Sequence, residues 1–146
     1  MKITGEHLIE APPEKVWQNI LDPRVLEKIT PGIKSLEELA PDHYKAVSEI
    51  KMGPVKGQFE GEFTIKDKTE NKSCKIVLDQ KSKIGNALAE INLELIPVSD
   101  TQTKVHYTGD ARISGMLARM GQRLIGGVVK TLSKQFFEAL QKEIEQ

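Results

Sequence analysis

The stretch Val55-Lys56-Gly57-Gln58-Phe59-Glu60-Gly61-Glu62-Phe63-Thr64-Ile65-Lys66 separates into two sets by parity. Val55, Gly57, Phe59, Gly61, Phe63 and Ile65 fall on one side, and Lys56, Gln58, Glu60, Glu62, Thr64 and Lys66 on the other. Successive side chains of a strand point to opposite faces, so this segment builds a strand with one apolar and one solvated face. The apolar face has to lie against another element of the chain.

The same period of two extends on both sides, from Ile33 to Ile113, with turn signals at Pro41-Asp42, Gly53-Pro54, Asn71-Lys72, Gly85-Asn86 and Ser99-Asp100. That spacing predicts about six strands. Turns this short join antiparallel neighbours, because parallel pairing needs long crossovers. Upstream, Lys2 to Glu10 alternates as a further strand, and Ala11-Pro12-Pro13 stops it. Pro13 suits the first turn of a helix, whose apolar face is Val16, Trp17, Ile20 and Leu21. Asp22-Pro23 opens a second short helix that runs to about Ile29, before Pro31-Gly32.

Downstream, Leu117, Met120, Leu124, Ile125, Val128, Leu132, Phe136, Leu140 and Ile144 recur mostly three and four apart. They predict one helix from about Leu117 to Ile144, about 40 Å long, with Arg119, Gln122, Arg123, Lys130 and Lys134 on its opposite side. Gly126-Gly127 interrupts good helix formers, a place for a bend or a close approach to the sheet. The order β, α, α, six β, α is an α+β architecture: a curved antiparallel sheet of about seven strands wrapped on a long C-terminal helix, with two short helices after the first strand. A chain of 146 residues fits a single domain over 1–146.

Parity also selects the side chains that see the interior. Ile50 and Met52, Phe59, Gly61 and Phe63, Leu78, Ala89 and Ile91, and Tyr107 take the inward positions of their strands. Glu60, Glu62, Asp79, Glu90, Glu94, Asp110 and His106 take the outward ones, where they cannot serve as acid or base to an interior substrate. His7 is the exception, sharing its parity with Ile3 and Ile9. It is read as a core or rim histidine, or as a group that orients a carbonyl or quinone oxygen, and not as a catalyst. Gly57, Gly61, Ala87 and Ala89 are small, which either lets the sheet curve or leaves an apolar cavity, the usual form of a small-molecule site. Met52, Met116, Met120, Leu124 and Val128 are positioned to line that space, and Trp17 either closes one end or anchors the first helix. The expected cavity is thus His7, Trp17, Ile50, Met52, Phe59, Gly61, Phe63, Leu78, Ala89, Ile91, Tyr107, Met116, Met120, Leu124 and Val128.

Basic and acidic residues are both 21, so no long-range positive field favours nucleic acid. Cys74 is alone and the histidines are far apart in sequence, which gives no metal spacing and no internal disulfide. Phosphate-loop, dinucleotide and serine-elbow patterns are absent. No cofactor is expected. The N-terminal segment lacks a hydrophobic run, and no stretch approaches the roughly 20 apolar residues that span a bilayer. The expected location is the cytoplasm, with membrane contact at most peripheral, at the inner face.

Several segments carry a resemblance to the carbon monoxide dehydrogenase G-subunit family, within the START and polyketide-cyclase (SRPBCC) superfamily of helix-grip proteins. They are Ala11-Pro12-Pro13-Glu14-Lys15-Val16-Trp17, Asp22-Pro23, Ile29-Thr30-Pro31-Gly32, Met52-Gly53-Pro54-Val55-Lys56-Gly57-Gln58-Phe59-Glu60-Gly61, Gly109-Asp110-Ala111 and Gly115-Met116-Leu117-Ala118. The proline-rich start is common to the wider superfamily, whereas Gly-Pro-Val-Lys-Gly is more specific. The resemblance implies a sheet gripping a long helix around a hydrophobic cavity. It also implies an accessory role beside a molybdenum hydroxylase, with a quinone or lipid-like molecule as cargo. Two alternatives stay open. One is an assembly factor that docks on an enzyme or an ATP-driven chaperone through the charged face around Glu60 and Glu62; the other is a cyclase- or dehydratase-like enzyme using His7 or Tyr107.

Overall fold

The computed structural model describes residues 1–146. Seven strands, β1 (Lys2–Ile9), β2 (Ile33–Ala40), β3 (His43–Met52), β4 (Val55–Thr69), β5 (Ser73–Ser82), β6 (Gly85–Ser99) and β7 (Gln102–Ile113), form one sheet in the order β1-β7-β6-β5-β4-β3-β2. Every neighbouring pair is antiparallel. Strands β2 to β7 form a meander, and β1 joins it beside β7. The helices α1 (Pro13–Ile20) and α2 (Pro23–Ile29) connect the two edge strands β1 and β2.

Local chemistry sets the boundaries of these helices. Pro13 occupies the first turn of α1, where a missing N–H costs nothing. The Asp22 carboxylate accepts from the Arg24 N–H at 2.9 Å and caps α2; with the Arg24 guanidinium beside it, this holds the carboxyl below its usual range.

The parity of β4 is realised in full. Val55, Phe59 and Ile65 are buried and Lys56, Gln58, Glu60 and Glu62 are exposed. Two glycines explain how strands this long wrap. A Cβ on Gly61 would lie 1.9 Å from the Asp79 carbonyl oxygen, and one on Gly109 would lie 2.4 Å from that of Glu90. The backbones of β4 and β5, and of β6 and β7, approach too closely there for any side chain, which marks the sites of sharp curvature.

The C-terminal segment differs from the single helix predicted. It is a short α3 (Gly115–Arg119) followed by α4 (Gln122–Ile144), broken at Met120-Gly121. Gly121 has φ +90°, ψ 152°, a conformation open to glycine, and it serves as the N-cap of α4. Gly126 and Gly127 neither break α4 nor bring it close to the sheet: a Cβ at either position would meet nothing within 4 Å.

The core is in two parts. The larger gathers Val16, Trp17 and Ile20 of α1, Val25 and Ile29 of α2, Val105 and Tyr107 of β7, and Phe137, Leu140 and Ile144 of α4. The smaller is Val55, Phe59, Leu117 and Ile125 at the opposite end of the helix. Helix α4 therefore packs firmly along its C-terminal half, on α1, α2 and β1, and is held at its other end by a small cluster.

Candidate functional site

Between the two core clusters the concave face of the sheet stays partly open. Ile50, Phe63, Leu78, Ala89 and Ile91 all take the inward parity of buried Phe59, Leu93 and Tyr107, yet they are only half-buried. Apolar side chains that face a helix without being covered by it border space. At the end where β3 turns into β4, a cleft of about 720 Å³ opens between that turn and the helices. Met52, Gly53 and Pro54 form one wall, and Met120, Arg123, Leu124, Gly127, Val128 and Thr131 form the other. The cleft is a broad groove open to solvent and not an enclosed cavity.

The helical wall is one face of α4. Leu124, Val128 and Thr131 follow helical spacing, and Gly127 sits in the same row without a side chain to fill the opening. The Thr131 hydroxyl donates to the Gly127 carbonyl at 3.0 Å, which leaves the Arg123 guanidinium as the charged group of the wall. Sequence periodicity assigns Arg123 to the solvated side of the helix. Arg123 is exposed as that assignment requires and also borders the cleft, at its solvent-facing rim.

Of the residues expected to line a cavity, the structure brings Met52, Met120, Leu124 and Val128 together at this cleft. Ile50, Phe63, Leu78, Ala89, Ile91 and Gly61 lie on the concave sheet face further in. Trp17 and Tyr107 belong to the larger core cluster, and Phe59 to the smaller one. Met116 is 53% exposed on α3, outside the cleft. Gly53, Pro54, Arg123, Gly127 and Thr131 are not among the expected residues. The turn signal Gly53-Pro54 and the i, i+4 row Arg123, Gly127 and Thr131, beside the row Met120, Leu124 and Val128, are the signals that could have found them.

His7 lies on the concave side of β1, half-buried and stacked on Phe137 with centroids 4.5 Å apart and planes 23° apart. Tyr107 lies beyond, 6.2 Å from His7 and 6.1 Å from Phe137. The Tyr107 ring also covers Gly5, where a Cβ would come within 2.4 Å of its hydroxyl oxygen. Burial pushes the His7 pKa down, and the Glu138 carboxylate opposes this more weakly. The imidazole is therefore held towards its neutral form, able to donate one hydrogen bond and accept another. The carboxylates of the sheet do not share the concave face with it: Glu60, Glu62, Asp79, Glu90, Glu94 and Asp110 are all exposed on the other side, and the carboxylate that acts on His7 is Glu138 of α4.

Cys74 is buried in the larger cluster, and desolvation raises its thiol to about 11, so it has no thiolate character. No three His, Cys, Asp or Glu side chains converge as a metal site would require. A second depression of about 480 Å³, lined by Asp67, Lys75, Asn92, Glu94 and His106 among others, is mostly polar and lies against the outer face of the sheet. No helix is long and apolar enough to cross a membrane.

A curved seven-stranded antiparallel sheet closing on a C-terminal helix, with an apolar cleft between them, defines a START-like helix-grip protein. Solved structures agree on the fold. The chain is similar to a START superfamily protein from Mycobacterium smegmatis (16% identity, TM-score 0.78, 99% of this chain and 97% of that one). It is also similar to the Zhui aromatase/cyclase from Streptomyces sp. R1128 (12% identity, TM-score 0.74, 99% and 93%). A conserved protein from Geobacillus kaustophilus is similar at 34% identity and TM-score 0.96, over 99% of this chain and 95% of that one. Among curated proteins no match is found. The family model of the carbon monoxide dehydrogenase G-subunit (CoxG) matches residues 5–145, and the chain belongs to that family.

Proposed function

We propose that this protein binds an apolar small molecule, a quinone or lipid-like compound, between the sheet and α4, and acts as a non-catalytic accessory to a molybdenum hydroxylase. The observation that carries this reading is the cleft of about 720 Å³ walled by Met52, Met120, Leu124 and Val128, continuous in parity with the half-buried apolar face of β3 to β6. Flexible methionines suit a ligand with a long, featureless chain. His7, the one ionisable imidazole on the concave side, is held towards its neutral form, which suits hydrogen bonding to a carbonyl oxygen. The carboxylates of the sheet lie on the far face, which leaves Glu138 of α4, itself exposed, as the carboxylate that acts on His7. The hydroxylase partner follows from the family name alone. Work in the cytoplasm, as a single domain, completes the reading.

Calorimetric titration with a short-chain ubiquinone tests it. A single site is expected, weakened at least about tenfold by Val128→Trp, which fills the cleft, with an unchanged circular dichroism spectrum. Binding of equal strength in that variant would place the ligand elsewhere, and no binding to the unaltered protein would remove quinones from consideration.

A further inference from the structure

At the other end of the concave face from the cleft stands a polar group that the fold leaves without a partner. Tyr107 is 6% exposed, yet its hydroxyl makes no hydrogen bond to any group of the protein. A buried tyrosine hydroxyl usually finds one, because leaving it unpaired in apolar surroundings is costly. The oxygen is not sealed in the core either, since every side-chain oxygen or nitrogen shut off from open space has a partner. Gly5 allows this placement: a Cβ on the facing strand would lie 2.4 Å from the hydroxyl oxygen. His7 is two residues further along β1 on the same face, with its ring 6.2 Å from that of Tyr107 and no hydrogen bond at either ring nitrogen. Tyr44, the other tyrosine, is also buried without a partner, but it lies in the field of the Asp22, Glu38 and Asp42 carboxylates, which repel a further oxygen acceptor.

The surroundings of the pair are apolar. Phe137 stacks on His7, and Leu93 faces Tyr107 across the β6–β7 ladder. From Leu93 the half-buried Ile91 and Ala89 continue the inward row of β6 towards α3, and along α4 the separation from Phe137 to Leu124 is about 20 Å at 1.5 Å per residue. We propose that the Tyr107 hydroxyl and the His7 imidazole seat the oxygen of an uncharged, carbonyl-bearing head group, and that the tail of this elongated cargo runs along the concave face to the cleft at Met52 and Leu124. Two donors without partners suit a carbonyl oxygen, which only accepts. An anionic head would meet the Glu138 carboxylate that acts on His7. The proposal rests on the reading that an apolar molecule lies between the sheet and α4, and adds which of its atoms is recognised and which end lies deepest.

Equilibrium dialysis with 2-acetylnaphthalene and 2-ethylnaphthalene tests it, because the two share a carbon skeleton and differ in one carbonyl oxygen. In Tyr107→Phe, which removes the hydroxyl and keeps the ring, the acetyl compound is expected to lose about fivefold in affinity, the worth of one hydrogen bond. The ethyl compound is expected to bind parent and variant alike, which shows that the interior is intact. His7→Phe should act in the same way, whereas Val128→Trp, at the cleft, should leave the ratio of the two affinities unaltered. A ratio unchanged in Tyr107→Phe overturns the proposal and means that water serves the hydroxyl; a ratio that falls only in Val128→Trp overturns it by placing the carbonyl at the cleft. In both cases the compounds still bind and the cargo reading stands. Failure of both compounds to bind the unaltered protein removes the two readings together.

Discussion

The Asp79 carbonyl oxygen stands where a side chain at position 61 would begin, 1.9 Å from an added Cβ, and a backbone atom in a strand ladder cannot swing aside. Gly61→Ala is therefore expected to cost about 3 kcal/mol, the upper end for overpacking, in a urea titration. Gly126, with open space around its would-be Cβ inside a helix, is the reverse case: Gly126→Ala is expected to stabilise by about 1 kcal/mol from helix propensity alone. A Gly61→Ala variant as stable as the parent would contradict the close approach in β4. His7 gives a pH signature. Its folded pKa lies below its ordinary value of about 6.5 because burial disfavours the imidazolium. The unfolded chain then binds more protons, so this contribution to stability is fully present above about pH 6.5 and is lost as pH falls through that value, levelling off below the folded pKa. His7→Phe should flatten the stability curve over that window, and an unchanged slope would exclude His7 as its source.

At the scale of elements, α4 is fastened unevenly. Leu140 is fully buried among α1 and α2, whereas Leu124 faces the cleft mouth. Leu140→Ala should cost about 2–5 kcal/mol, and Leu124→Ala under about 1 kcal/mol. Amide exchange should be faster in α3 and the first turns of α4 than around Phe137 to Leu140, through local opening; uniform protection along α4 would contradict the two-part core. Most of the sheet was legible in the sequence because burial on one face forces a period of two, and the turns, the order and the inward sets follow from it. The break at Gly121 was not legible. Met120 and Leu124 keep helical spacing across it, and only the positive φ of Gly121, a backbone property, reveals that two helices share the row. Small inward residues such as Gly61 and Ala89 carried an ambiguity that spacing cannot resolve, since curvature and an open cavity use the same residues; at Gly61 the close backbone shows curvature.

On the scale of the whole molecule, the chain has divided its packing along one axis. The larger core and the buried Cys74 lie away from the cleft mouth, and the open concave face lies at or near it. Such a layout holds the sheet and the C-terminal half of α4 rigid while the mouth remains accessible, which is what loading an apolar cargo requires. The most direct measurement is native mass spectrometry of the protein mixed with a short-chain quinone and a phospholipid, followed by organic extraction of the isolated complex. One retained apolar molecule per chain, displaced in Val128→Trp, is the predicted result. A protein that keeps the mass of its bare chain under both ligands, folded and unaltered, would contradict the account of the cleft as a cargo site.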